Sequence, residues 1–556
     1  MLLVFLTSCN ERVEEKEFIE IQKEELSNIS PTPGGDITIP LTNFETINPL
    51  YPNNSSVYYF NKLIYDSLFE FNEEGGLEPV LVEHYIVSPD NTTITITLKD
   101  NIYWHDGTKL TTDDILATFE FIKNNEVKSS YYDTFVKSVG YGNTFNPESF
   151  LTMEIFDERN IDLHFDNPYA EKLEMLTFPI LSQKEIESYS DTSSPEEIKL
   201  IGTGPYKLKE IVRGTQINLE RNENYYGNLP YIDNVNGKIF NNEDLALLSF
   251  ETGLINIVRS NNYDWAKYQD NPNIKIEEYN SNEMDMLIFN NGRSKFQGEV
   301  GKKIKQSISR GINKKRIIDR LFLGKAVETS IPLNINKMNL YGLKSDTYYN
   351  EEISKEILND IGYTKLNDNG FLVNEQGETI DIEINTNFSN NEKRIIADFV
   401  IQDLRAIGIN AYSNFTISAN DQLSVEEINE LNTSFRNSLE SGSFDLAIIS
   451  VNLTDTSDMS VLLHTNAIGN GLNYGYYSNS NLDQIFNKLK LTNDFEKQKE
   501  LYLDGIDIFV NDMPIVPLYT KINALLIDNK IQNEIKPINS DIYRSFSNLF
   551  ILKQFQ

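Results

Sequence analysis

Cysteine and histidine are both scarce in this chain. Of its 556 residues, one is a cysteine (Cys9) and four are histidines. A single thiol cannot form an intramolecular disulfide, and the scattered histidines lack the short spacing of zinc ligands. The sequence therefore predicts neither a disulfide framework nor a metal site, and we expect no resident cofactor.

Basic residues are outnumbered by acidic ones. The chain has 49 Lys and Arg against 83 Asp and Glu, a formal net charge of −34. A field of that sign repels nucleic acid and anionic lipid headgroups, and it mildly favours cationic ligands. Beyond Cys9 no stretch reaches the roughly 18 apolar residues that a membrane-spanning helix needs. We expect no nucleic-acid partner and no membrane-spanning helix there.

The signatures of common hydrolases are missing too. The chain contains no Gly-x-Ser-x-Gly, no His-Glu-x-x-His and no catalytic cysteine. We therefore predict that the protein is not an enzyme. A secreted glycosidase stays an open alternative for a turnover assay to decide, because that chemistry needs only two carboxylates and 83 acids make chance pairs inevitable.

The most informative stretch covers residues 444–458. Its first part, 446–451, is apolar except for Ser450 and lacks Gly and Pro, which is typical of a strand buried on both faces. Polar residues follow at once. Because open α/β sheets bind ligands at the carboxyl ends of their strands, we predict that Ser450, Val451, Asn452 and Leu453 line a cleft and that Asp455 faces a cationic group. The alternative is a strand followed by a solvated acidic loop.

Local patterns predict further elements. Threonine and isoleucine alternate over residues 93–98, which indicates a half-buried strand. Thr111 or Thr112, followed by Asp114, predicts the start of a helix that runs to about Lys123. The glycines of 202–206 predict a tight turn rather than a phosphate loop, since Pro205 removes a backbone N–H and no Gly-Lys-Ser/Thr follows.

The amino-terminus carries a possible lipidation signal. The apolar residues 2–6 lead into Leu6-Thr7-Ser8-Cys9, which resembles a bacterial lipoprotein box. No basic residue precedes Cys9, although a signal peptide needs a basic region and a longer apolar one. We predict that 1–9 is a truncated lipoprotein signal with Cys9 as the lipidated residue, followed by a flexible tether over 10–33. The alternative is a soluble protein with a frayed apolar start.

Short motifs recur in a fixed order along nearly the whole chain. They include Leu77-Glu78-Pro79, Trp104-x-Asp106-Gly107, Gly202-Thr203-Gly204-Pro205-Tyr206, Phe444-Asp445, Asn473-Tyr474-Gly475-Tyr476 and Pro514-Ile515-Val516-Pro517-Leu518-Tyr519. In this order they resemble the peptide/nickel-type (family 5) solute-binding proteins of ABC importers, over about residues 34–550.

The resemblance implies an α/β fold of the type II periplasmic-binding-protein class, with two lobes joined by a two-segment hinge and an extra inserted subdomain. Lobe I would comprise 34–290, including the inserted subdomain at about 50–195, and 513–556. Lobe II would comprise 291–512. The chain would cross between lobes at Asn290-Asn291-Gly292 and near Pro514 and Pro517.

The resemblance also implies a function. The protein would capture oligopeptides in a closing cleft, with Asp455 holding the peptide amino-terminus and Tyr474 in the cleft wall, and would deliver them to membrane permease subunits. We expect a monomer on the outer face of the bacterial cytoplasmic membrane, lipid-anchored through Cys9. Asn452 stands where peptide binders commonly have an aromatic residue, and Met459 replaces a usual proline. A peptide-signal sensor or surface receptor on the same fold, and a degenerate protein without ligand, remain alternatives.

Overall fold

The structure is a computed structural model that describes residues 30–51, 54–124, 129–141, 145–187, 199–260, 263–344, 348–414, 423–455 and 458–556. Its strands are β1 (Asp36–Thr42), β2 (Phe69–Phe71), β3 (Leu77–Pro79), β4 (Val82–Val87), β5 (Thr93–Leu98), β6 (Leu151–Ile155), β7 (Asn160–Phe165), β8 (Tyr206–Val212), β9 (Gln216–Arg221), β10 (Asn234–Phe240), β11 (Ile257–Ser260), β12 (Ile274–Phe289), β13 (Ala326–Glu328), β14 (Lys365–Leu366), β15 (Leu372–Val373), β16 (Asp381–Thr386), β17 (Asn410–Tyr412), β18 (Leu446–Asn452), β19 (Ile515–Asp528), β20 (Ile531–Gln532) and β21 (Phe550–Ile551).

Helices surround these strands. The α-helices are α1 (Ser55–Asn61), α2 (Thr112–Lys123), α3 (Ser130–Val139), α4 (Pro147–Phe150), α5 (Gln183–Ile186), α6 (Glu243–Glu251), α7 (Gly298–Gly311), α8 (Lys314–Leu321), α9 (Ile335–Tyr341), α10 (Glu351–Asp360), α11 (Asn391–Ala406), α12 (Val425–Ser441), α13 (Ser460–Leu463), α14 (Ser480–Leu491) and α15 (Phe495–Asp512). Short 3-10 turns include Glu174–Leu176. None of the helices in the described ranges is long and apolar enough to cross a membrane.

Two four-stranded sheets share the first hydrophobic core. One has the order β1-β10-β9-β8 and the other, fully antiparallel, has the order β4-β5-β7-β6. In β5 the isoleucines point inward and the threonines outward, so the predicted half-buried strand is confirmed. Helix α2 is confirmed as well, and its capping box pairs Thr111 with Asp114.

The third sheet runs through both halves of the molecule. It has the order β11-β19-β12-β18-β16-β17, with β13 attached to β19. The long strands β12 and β19 pair from Ile274 opposite Asp528 to Ile288 opposite Ile515, and the register shifts between Asn280 and Met284. A shift of this kind interrupts the ladder and bends the strand.

The register shift coincides with a change of core. Before it, Tyr279 packs in the first core, whereas Leu287 and Phe289 pack in a second core and Met286 in a third. The predicted crossing at Asn290-Asn291-Gly292 lies beyond this change, because Asn290 already donates to the carbonyl oxygen of Phe444 in the far half. The change of core thus lies inside β12, and the crossing between lobes at residues 290–292 stays a prediction.

Strand β18 lies inside the second half of the sheet, antiparallel to β12 and parallel to β16. Leu446 and Ile448 face the second core, while Ala447, Ile449 and Val451 face the third. Helices cover both faces, so this half has the α/β layering that a strand buried on both sides requires. The predicted buried strand is confirmed, and its carboxyl end carries the segment of functional interest.

Candidate functional site

Asn282 of β12 and Asn334 hold the segment that follows β18. The backbone N–H of Leu453 donates to the carbonyl oxygen of Asn282 over 2.8 Å. The carbonyl oxygen of Leu453 accepts a hydrogen bond of 2.7 Å from Nδ2 of Asn334, the N-cap of α9. The chain therefore leaves β18 along a path fixed by its neighbours.

Asp455 is the carboxylate at the end of this path. It is 9% exposed, and its Oδ1 accepts a hydrogen bond of 3.1 Å from Nδ2 of Asn336. Burial raises the pKa of Asp455, while the Asn336 hydrogen bond and the charge of Lys337 oppose that rise. Within the described ranges no lysine or arginine nitrogen lies within 4.0 Å of its oxygens. Asp455 is thus a buried carboxylate that accepts a hydrogen bond from the neutral side-chain amide of Asn336.

Tyr58 and Lys62 lie in the first half of the molecule. The Tyr58 hydroxyl donates to the carbonyl oxygen of Ser540 over 3.0 Å, and Lys62 Nζ lies 5.8 Å from the centre of the Tyr58 ring. Burial raises the pKa of Tyr58, and the charge of Asp455 is among the smaller causes that add to this rise.

Residues 168–174 contact the second half of the molecule through the backbone and through side chains. The N–H of Ala170 donates to the carbonyl oxygen of Lys490 over 2.7 Å. Asn493 donates to the carbonyl oxygen of Pro168 over 3.0 Å and accepts from Lys172 over 2.7 Å. We call this contact between segment 168–174 and helices α9 and α14 the interface.

A buried ion network forms the centre of the interface. Glu171 lies 3.3 Å from Nζ of Lys337 and 3.2 Å from Nζ of Lys490, and Lys490 lies 3.3 Å from Asp458. These four side chains are all at most 11% exposed. Burial would raise the pKa of Asp458, but the Lys490 charge and the Ser460 hydrogen bond outweigh it and lower that pKa. Buried charges of this kind persist only when they are paired.

A second feature at the end of β18 is a cavity of about 670 Å³. Asn452, Thr454 and Tyr474 line it from one side, and Lys137 and Tyr141 line it from α3 and the residues that follow. Asp455 is not among its lining residues. The structure therefore brings Asn452 and Tyr474 together, but on a different surface from Asp455.

The remaining predicted site residues have other surroundings. The Ser450 hydroxyl donates to Asp285, which also binds Nζ of Lys393 and the hydroxyl of Tyr519, both at 2.5 Å. Val451 and Leu453 are 5% and 1% exposed and pack in the third core. Cys9 lies outside the described residues, as does most of the predicted tether.

Sequence reasoning missed the partners of Asp455 and the ion network. Asn336 lies 119 residues from Asp455, Lys337 lies 166 from Glu171, and Lys490 lies 319 from Glu171. No local pattern marks such distant pairs. Among the described residues, no group of three His, Cys, Asp or Glu side chains could hold a metal ion.

Comparison with known proteins gives consistent matches. A family model described as bacterial extracellular solute-binding proteins, family 5 Middle, matches residues 76–473. The oligopeptide-binding protein AppA of Bacillus subtilis is 23% identical over 549 residues, covering 98% of this chain and 96% of that protein. The nickel-binding protein NikA of Staphylococcus aureus is 23% identical over 472 residues, covering 84% and 85%.

The structural match agrees with these findings. The ABC transporter substrate-binding protein CtaP of Listeria monocytogenes superposes with a TM-score of 0.75 at 22% identity, covering 94% of this chain and 100% of that one. The predicted type II periplasmic-binding-protein fold is thereby confirmed, as is the predicted resemblance. Proteins of this family are extracellular or periplasmic receptors that bind small ligands for ABC transporters, and they are not enzymes. The chain belongs to the family 5 bacterial extracellular solute-binding proteins.

Proposed function

We propose that this receptor captures oligopeptides and that Asp455 binds the peptide's free amino-terminus. One observation carries the proposal: Asp455 is a buried carboxylate, bound to the neutral amide of Asn336, with no described lysine or arginine nitrogen within 4.0 Å. A buried carboxylate is costly unless it is paired, so a ligand ammonium group gains more there than a neutral group does.

The comparisons support a peptide ligand without deciding it. The relative that covers most of this chain is named for oligopeptide binding, and another is named for nickel binding. Direct nickel coordination finds no support in the described residues, where no suitable group of ligands occurs. The main-chain groups of an extended peptide would supply affinity independent of the peptide's sequence. Its amino-terminal ammonium group would fix the position of the peptide along the cleft.

We further propose that the lobes move about the register shift in β12 and the facing part of β19. The strand pair is continuous on both sides of Asn280 and Met284, while the cores on either side differ. The two strands are antiparallel and both pass between the cores at this level, which is the arrangement of a two-segment hinge. Lipid anchoring through Cys9 and a monomeric state remain parts of the proposal.

The test is calorimetric titration of the purified protein with Ala-Ala-Ala and with N-acetyl-Ala-Ala-Ala. The acetylated peptide keeps every main-chain group except the ammonium charge. We expect the free peptide to bind at least tenfold more tightly, because a charged hydrogen bond contributes ~1.5–3 kcal/mol. Equal affinities for the two peptides would contradict the proposed role of the amino-terminus. Binding of neither peptide would contradict the peptide assignment.

A further inference from the structure

Negative charge exceeds positive charge in the buried groups around the interface. Four carboxylates and two lysines meet there: Asp455, Asp458, Glu171, Glu174, Lys337 and Lys490. Of these only Glu174 has a side chain more than about a tenth exposed, at 21%. If all six groups are ionised, two negative charges lack a positive partner.

The distances show how the positive partners are distributed among the carboxylates. Glu171 contacts both lysines, at 3.3 and 3.2 Å, and Asp458 contacts Lys490 at 3.3 Å. Glu174 comes no nearer than 3.9 Å to Nζ of Lys337. Its Oε2 is buried and accepts no hydrogen bond from any residue in the described ranges. The two lysines are therefore shared among Glu171, Asp458 and Glu174, with Glu174 the most distant of the three, and neither lysine is within 4.0 Å of Asp455.

Other cations nearby are engaged elsewhere. Lys172 donates to the carbonyl oxygen of Tyr169 over 3.3 Å and to Oδ1 of Asn493 over 2.7 Å. Lys62 pairs with Glu70 at 3.4 Å. Neither lysine is within ion-pair distance of Glu174 in the described structure.

Glu174 and Asp455 are both connected to helix α9, where Asn336 donates to Asp455 and Nζ of Lys337 lies 3.9 Å from Glu174. Glu174 begins a 3-10 turn in segment 168–174, whereas Asp455 follows β18. Burial raises the pKa of Glu174 to about 7, with the charges of Glu171 and Asp455 adding to the rise and that of Lys337 opposing it. A buried acceptor oxygen without a donor, in a group of side chains with excess negative charge, is the arrangement that a ligand cation would stabilise.

We infer that Glu174 is a second cation-recognising residue of the binding cleft, so that the receptor prefers peptides whose first side chain is lysine or arginine. The inference rests on the proposed function, because it places the peptide's amino-terminus at Asp455. The terminal ammonium then faces Asp455 and the basic side chain faces Oε2 of Glu174. Together the two cations balance the excess negative charge of this group of side chains.

The experiment compares Lys-Ala-Ala with norleucine-Ala-Ala by calorimetric titration at pH 8. Norleucine has the aliphatic stem of lysine without its ammonium group, so the affinity ratio isolates that charge. We expect the wild-type protein to bind Lys-Ala-Ala at least tenfold more tightly. Glu174→Gln should reduce the ratio to near one, because glutamine offers the lysine ammonium group no charge. Glu154→Gln, on an exposed strand position, should keep the wild-type ratio.

Each outcome decides something different. A wild-type ratio near one overturns the inference while leaving the peptide proposal in place, and this measurement does not depend on the folding of any variant. An undiminished ratio in Glu174→Gln also overturns it. If neither peptide binds the folded wild-type protein, the peptide proposal itself fails and the inference with it.

Discussion

Asn336 donates a hydrogen bond from Nδ2 to Oδ1 of Asp455 over 3.1 Å, although 119 residues separate them. Asn336 lies in helix α9, and the next residue, Lys337, binds Glu171 in segment 168–174. One short helix therefore contacts both the carboxylate proposed to hold the ligand and segment 168–174.

Asn336→Ala should destabilise the protein by ~1–3 kcal/mol, because it leaves a buried carboxylate without its amide donor. Urea unfolding followed by circular dichroism measures this. Asn339→Ala serves as the matched control, since Asn339 is exposed on the same helix. Equal effects of the two substitutions would show that the Asn336 hydrogen bond contributes nothing specific.

Lys490→Met should lower the free energy of unfolding by ~3–5 kcal/mol, because it leaves Glu171 and Asp458 buried without their shared cation. Denaturant titration gives the value, and Lys488→Met, exposed on the same helix, is the control. Adding Glu171→Gln to Lys490→Met should cost less than the sum of the two single changes. Additive effects would contradict the network.

The stability contribution of Asp66 should fall as pH rises. Burial, followed by the charge of Glu70, raises the pKa of Asp66 to about 7, against hydrogen bonds from Thr203 and Tyr226. The folded state thus binds this proton more tightly than the unfolded state, whose carboxyl has a pKa of about 3.9. The contribution is present below about pH 4 and is lost as pH rises through 7.

Thermal melting of wild type and Asp66→Asn at pH 5 and pH 8 tests this sign. The melting temperature of the variant, relative to that of wild type, should be higher at pH 8 than at pH 5, because asparagine does not ionise. Asp368→Asn, at an exposed turn, should show no such change between the two pH values. No difference between pH 5 and pH 8 would contradict this account, because it would show that the Asp66 carboxyl is ionised in the folded protein throughout this range.

Local sequence patterns predicted the local structure well. The alternation of β5, the capped start of α2 and the buried run of β18 each depend on neighbouring residues, so their side-chain periodicity specifies them. The change of core was harder to predict, because no Gly or Pro marks the register shift between Asn280 and Met284. Only the second shift, between Asp285 and Met286, lies opposite a proline, Pro517.

The surroundings of Asp455 could not be predicted from the sequence. Asn336 and Glu171 resemble many other polar residues until the fold brings distant segments together. The partner of Ser450 could not be predicted either, since only the pairing of β18 with β12 places Ser450 opposite Asp285. The proposed amine-binding role of Asp455 itself remains a prediction.

The most direct test of the central claim measures Asp455→Asn with free and N-acetylated Ala-Ala-Ala by calorimetric titration. The account predicts that the variant loses ~1.5–3 kcal/mol of free-peptide binding and binds the acetylated peptide as wild type does. Asp504→Asn, exposed on α15, controls for the change in net charge. Unchanged binding of the free peptide to Asp455→Asn would contradict the assignment of Asp455 to the amino-terminus.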